Sequence, residues 1–131
     1  MMLDHTGFAV PPAQYEAVIA FYTATLAPLG ITPQHNYPGQ AVGFGPSKAE
    51  AGFWVSSKED AAATATAGGM HVAFKAADHA AVKAFHEAGL KAGGKCNGEP
   101  GIRATHPSYY AAFVLDPLGN NMEAVDHIPR D

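Results

Sequence analysis

Charge of either sign is scarce in this chain, and positive charge scarcer still: 8 Lys and Arg stand against 12 Asp and Glu in 131 residues, a formal net charge of −4. No basic stripe is available to hold a phosphate backbone, so nucleic acid is not an expected partner. Long apolar runs are missing too. Gly, Pro or a charged residue interrupts each one well before the roughly 20 residues a membrane-spanning helix needs, so no membrane partner is expected either. The amino-terminal MMLDHTGF shows no basic stretch followed by an apolar run, which predicts a cytoplasmic, unexported protein. Cysteine occurs once, at Cys96, which excludes an internal disulfide and any site built from several thiolates. Only Lys95 stands beside it to activate it, so it reads as an incidental surface thiol.

What is present suffices for one globular domain. Apolar residues make up 47% of the chain, although alanine supplies many of them, and a chain of this length buries roughly two thirds of its unfolded surface. Met2 to Val10 alternates loosely and reads as a strand. From Ala13 to Ala27 the large apolar residues Tyr15, Val18, Ile19, Phe21, Tyr22 and Leu26 fall at helical spacing. A Pro-, Asn- and Gly-rich stretch from Thr32 to Gln40 reads as a loop, followed by strands at Ala41 to Phe44 and Ala51 to Ser56. An alanine-rich linker runs to Gly69. Met70 to Ala76 is again strand-like, and Asp78 is placed to cap a helix whose core face holds Val82, Phe85 and Ala88. A loop through Asn97, Gly98, Pro100 and Gly101 leads to a short strand at Ile102 to Thr105, then strands at Tyr109 to Leu115 and Asn121 to Val125 joined by the turn DPLGN.

The order of elements is one unit written twice. His5-Thr-Gly-Phe8 and His71-Val-Ala-Phe74 each open a strand that runs into a helix, and Phe53-Trp54-Val55 and Met122-Glu123-Ala124 each close a half. The reading is therefore an α+β fold of two βαβββ modules, about 1–57 and 70–127 with a linker at about 58–69, paired around a shared cleft with helices on the outer face.

A pseudo-twofold relation would make His5, Trp54, His71 and Glu123 face one another across that cleft. Because side chains alternate along a strand, Thr6, Phe8, Val72, Phe74, Met122 and Ala124 would point at the helices while His5, His71 and Glu123 point away. Two imidazoles and a carboxylate with open positions beside them suit Fe, Mn, Ni or Zn in the divalent state. By spacing alone such a trio also arises in chains that bind no metal. His106, held by Pro107 near a strand entrance, is a candidate acid–base group. Trp54 and Tyr110 are candidate aromatic walls for a substrate, and Arg103 a candidate anchor for an anionic group. His79 and His86 lie two helical turns apart, roughly 10 Å, too far to share an ion, and read as structural or exposed. His35 and His127 read as loop and tail residues.

Over nearly its whole length the chain resembles the vicinal oxygen chelate superfamily, which includes glyoxalase I, extradiol dioxygenases, and the fosfomycin and bleomycin resistance proteins. LDHTGFAV, AFYTATLAPLG, HVAFKA and above all YYAAFVLDPLGNNMEAV carry the resemblance. It implies a divalent ion on His5, His71 and Glu123, a small-molecule substrate or ligand, and a homodimer. Trp54 departs from glyoxalase I, which has a carboxylate at that position, and this argues against activity on a glutathione adduct. The resemblance thus implies a metal-dependent enzyme of the lyase, isomerase or dioxygenase type acting on an oxygen-rich small molecule. The alternative is a metal-free binding protein of the bleomycin-resistance type.

Overall fold

A computed structural model describes residues 2–64, 69–105 and 107–130. Its elements are β1 (Thr6–Val10), α1 (Pro12–Leu26), β2 (Thr32–Tyr37), β3 (Ala41–Gly45), β4 (Phe53–Ser57), β5 (His71–Lys75), α2 (His79–Lys91), β6 (Lys95–Arg103), β7 (Tyr109–Leu115) and β8 (Asn121–Asp126). They form two mixed four-stranded sheets of identical topology, β1-β4-β3-β2 and β5-β8-β7-β6, with one parallel pair in each. The two-module α+β fold is the one the repeat predicts. Register makes the equivalence concrete: Gly7 pairs with Trp54 in one module as Ala73 pairs with Glu123 in the other. Among the described residues, no helix is long and apolar enough to cross a membrane.

Local chemistry accounts for the element ends. Pro12 opens α1, where its missing N–H costs nothing and its fixed φ suits the helix. The Asp78 carboxylate accepts from the Ala81 N–H at 2.8 Å and caps α2 as expected. Between β7 and β8, Asp116 Oδ1 accepts from the backbone N–H groups of Leu118 (2.9 Å) and Asn120 (2.8 Å), while Gly119 takes φ 95°, which a side chain would resist.

Two elements differ from the sequence reading. The stretch 32–40, read as a loop, is mostly the edge strand β2, and the loop through Gly98, Pro100 and Gly101 is part of the nine-residue edge strand β6. Pro33 survives in β2, and Gly98, Pro100 and Gly101 in β6, because an edge strand needs only half its ladder, and each strand shifts register at these residues. The first strand also starts later than read, at Thr6, which leaves Met2 and Leu3 exposed. Of the expected linker at about 58–69, residues 65–68 lie outside the described residues.

Each helix covers one face of its own sheet, and α1 packs on α2, so the helices meet at the core and do not lie on the outer face of a shared cleft as the repeat suggested. One core results, holding Phe21, Tyr22, Phe44, Phe53 and Val55 of the first module with Phe74, Phe85, Val114 and Met122 of the second. Phe53 meets Phe74 edge-on at 5.3 Å. Tyr22, fully buried in α1, donates a short hydrogen bond to Asp116 Oδ2 in the β7–β8 turn. Burial, then the charge and hydrogen bond of Asp116, raise the Tyr22 hydroxyl well above its ordinary pKa, so it stays a neutral donor.

Candidate functional site

The face of the second sheet turned away from α2 carries a polar group centred on Glu123. Ladder pairing aligns Ala73, Glu123 and Phe113 across β5, β8 and β7, and laterally paired residues share a face. Glu123 is only 2% exposed, yet both carboxylate oxygens are engaged. Tyr109 donates a short hydrogen bond to Oε2, and His71 Nε2 lies 3.2 Å from Oε1. The other imidazole nitrogen of His71, Nδ1, is 3.1 Å from the Asn121 carbonyl, which can only accept. Nδ1 therefore bears a hydrogen, and in the neutral ring the Nε2 lone pair points toward Glu123. A cation about 2.1 Å from each atom would subtend roughly 100° between them, an angle suited to adjacent ligands. These two residues fit a divalent ion.

Around the pair, Phe113 stacks on His71 at 6.3 Å, and the Arg103 guanidinium lies over Phe113 at 5.3 Å. Arg103 is held by its own strand, donating to the carbonyls of Glu99 (2.6 Å) and Gly101 (2.9 Å). Burial pushes the Tyr109 hydroxyl up to about 12, with the hydrogen bond and charge of Glu123 adding to the rise and Arg103 opposing it. Tyr109 thus holds its proton and orients Glu123.

The matching face of the first sheet is different in character. Gly7, Trp54, Gly43 and His35 form a row across β1, β4, β3 and β2. Trp54 lies flat over Gly43, where a Cβ would come 2.5 Å from the indole Cζ2, and its N–H donates to the Ala51 carbonyl at 2.7 Å. His35 stacks on Trp54 at 5.8 Å and Tyr37 at 6.3 Å, giving a flat aromatic platform. Beside it lies an open cavity of about 490 Å³, lined in part by Asp4, His5, His35, Lys48 and Trp54. The His5 ring, 64% exposed, sits 2.6 Å from the Asp4 carboxylate.

The chain brings His71 and Glu123 together and keeps His5 apart from them. Among the described residues, one set of three potential ligands lies mutually within 4.8 Å, and it is His86, Cys96 and Glu99, not His5, His71 and Glu123. Tyr110, expected as a cleft wall, belongs to the core: it is 8% exposed and stacks on His79 at 3.7 Å. Its neighbour Tyr109 takes the place facing Glu123, because Phe113 is in register with Glu123 and residues 109, 111 and 113 share its side. Arg103 does lie on the Glu123 face, and Trp54 does line a cavity. His106 lies outside the described residues. Sequence reading did not place Tyr109 or Phe113 beside Glu123, and it read His35 as a loop residue. The spacing of His35 and Tyr37, two apart, was the signal for β2, hidden by Pro33, Pro38 and Gly39.

Comparison with known proteins places this geometry in a lineage. No family model and no curated protein matches the chain. Among solved structures, a glyoxalase/bleomycin resistance protein from Albidiferax ferrireducens T118 is 30% identical over 98% of this chain and 100% of its own, with a TM-score of 0.79. A structure from Bacillus halodurans, provisionally assigned as a glyoxalase, is 25% identical over 95% of this chain and 94% of its own, with a TM-score of 0.72. A glyoxalase/bleomycin resistance protein/dioxygenase family enzyme from Burkholderia phytofirmans PsJN shares the fold at 15% identity, covering 95% of this chain and 98% of its own, with a TM-score of 0.70. With its repeated βαβββ modules and a relative of that identity along its whole length, the chain belongs to the glyoxalase/bleomycin resistance protein family, within the vicinal oxygen chelate superfamily.

Proposed function

We propose that the protein is a metal-dependent, glyoxalase-like enzyme that takes a small oxygen-rich substrate at a site of His5, His71 and Glu123. The observation that carries this reading is the 3.2 Å approach of His71 Nε2 to Glu123 Oε1, with the other His71 nitrogen tied to a backbone carbonyl. Because His5 stands just ahead of β1, beside the other sheet, its imidazole would come from a second copy, making the working unit a homodimer. The half-exposed ring of His71 and the more exposed ring of His5 leave both open to such a partner.

A divalent Fe, Mn, Ni or Zn ion held by two imidazoles and one carboxylate would polarise substrate oxygens and stabilise a developing oxyanion. The protein's own groups then divide the work. Tyr109 keeps Glu123 in one rotamer, and Phe113 shields the His71 ring on one side. Glu123 is the one carboxylate among the three and so the one that can also accept a proton, with His106 the candidate unligated base. Trp54 cannot coordinate, so it would contribute a flat wall instead of a fourth ligand. That favours lyase, isomerase or dioxygenase chemistry without a second metal-bound carboxylate.

Metal analysis of protein purified without chelator, beside the His71→Ala and Glu123→Ala variants, tests the reading. The parent is expected to hold more bound transition metal than either variant. A metal-free parent, or equal metal in all three, would sink it. One observation favours a second reading, a metal-free protein that sequesters a flat ligand: the His35–Trp54–Tyr37 platform above its cavity. Quenching of the single Trp by planar aromatic compounds, unchanged by chelator, would support that reading over the first.

A further inference from the structure

On the opposite side of the second sheet from Glu123, the edge strand β6 meets α2 in a cluster that takes no part in the chemistry above. His86 is buried in α2, and its Nε2 lies 3.2 Å from Cys96 Sγ. Glu99 completes the group, with one carboxylate oxygen 3.5 Å from Cys96 Sγ and the other 4.0 Å from His86 Nε2. In a regular strand residues 96 and 99 would face opposite ways. Here Cys96 pairs with Val114 and Gly98 with Phe113, so Asn97 is an extra residue in the ladder. Such a bulge reverses the alternation beyond it. Asn97 lies on the Glu123 side, where its amide donates to the Asn121 side chain at 3.1 Å, and the bulge returns Glu99 to the side of Cys96 and His86.

We propose that His86, Cys96 and Glu99 form a second metal site, selective for a borderline-soft divalent cation such as zinc. Imidazole, thiolate and carboxylate are the donor types zinc takes, at about 2.0 to 2.3 Å; a tetrahedron of such bonds has edges of roughly 3.3 to 3.6 Å. The three gaps observed, 3.2, 3.5 and 4.0 Å, lie close to those edges. The 4.0 Å gap ends on Glu99, whose side chain is 79% exposed and can swing to close it. Calcium and magnesium are disfavoured because they prefer all-oxygen sites. A buried imidazole fixes one ligand in place, while exposed Cys96 and Glu99 leave the fourth position to water. The ion would clip α2 to the irregular edge strand β6.

Cobalt(II) titration of the reduced protein, followed by absorption, separates this site from the one on Glu123, because only this one offers a thiolate. The parent and the His71→Ala variant should both develop a thiolate-to-cobalt charge-transfer band that zinc abolishes. Cys96→Ser should lose the band. Glu99→Gln should weaken the binding that produces it by about tenfold or more, since losing a ligand costs at least what losing a ligand's hydrogen-bond partner does. Both substitutions are at exposed positions, so the fold is not put at risk. Absence of the band in the parent at saturating cobalt, or its survival in Cys96→Ser, overturns the proposal. Loss of metal from the Glu123 site alone would leave the band intact, so the two readings fail independently.

Discussion

Tyr22→Phe isolates the bond that ties the two modules together. The phenol is fully buried, and its ring packs at 5.0 Å against both Phe21 and Phe53. Phenylalanine keeps that ring and removes only the oxygen. Asp116 then loses one of four donors and retains the backbone groups of Leu118 and Asn120 and the Asn120 amide at 3.0 Å. A hydrogen bond to a carboxylate contributes about 1.5 to 3 kcal/mol. With an unfolding entropy of about 2.1 cal/mol/K per residue over 131 residues, 1 kcal/mol corresponds to about 4 °C in the melting midpoint. The variant should therefore melt about 5 to 11 °C below the parent in calorimetry at matched protein concentration. Tyr37→Phe, at a half-exposed ring, serves as the control and should shift the midpoint little. A Tyr22→Phe midpoint within about 2 °C of the parent would refute the claim that this bond is a principal link between α1 and the turn leading into the Glu123 strand.

Two further outcomes follow from the same geometry. Gly43→Ala should drive the indole off its bed, since the new Cβ would stand 2.5 Å from Trp54 Cζ2; the single-Trp emission should move to the red, and an unchanged spectrum would contradict the packing. Asp126 is buried, and although burial alone would raise its carboxyl, hydrogen bonds from Arg130 and the Ile128 N–H and the charges of Arg130 and His79 together lower it below its usual 3.8. A depressed carboxyl stabilises the fold above its unfolded pKa, and that contribution disappears as pH falls through the lower folded value. Arg130→Ala should thus be less stable than the parent at neutral pH, with the gap closing below about pH 3.8; urea titrations showing a gap independent of pH would rule this out.

The legible parts of the site were those governed by local periodicity. His71 and Glu123 could be assigned to one face because strand alternation has a period of two and their strands pair in parallel, Ala73 beside Glu123. The DPLGN turn was equally readable, since Pro, Gly and Asp each have a defined place in it. Which of two adjacent tyrosines faces Glu123 was not readable, because it depends on the register of β7 against β8, a long-range pairing. The edge strands β2 and β6 were hidden for another reason. Their prolines and glycines break the local pattern, while a neighbouring strand supplies the hydrogen bonds that keep the chain extended.

By itself the amino-acid sequence determined the number of modules, the order of their elements, the chemical types at His5, Trp54, His71 and Glu123, and the family resemblance, since each is written in short-range pattern or in repetition. Tertiary structure decided which of those groups meet. Packing α1 on α2 buries the helix-side faces of both sheets in one core, holding Phe53 against Phe74, and within one chain it leaves His5 apart from His71 and Glu123. The bulge at Asn97 likewise brings Cys96 and Glu99 to His86, a convergence set by ladder register across strands and not by spacing along the chain.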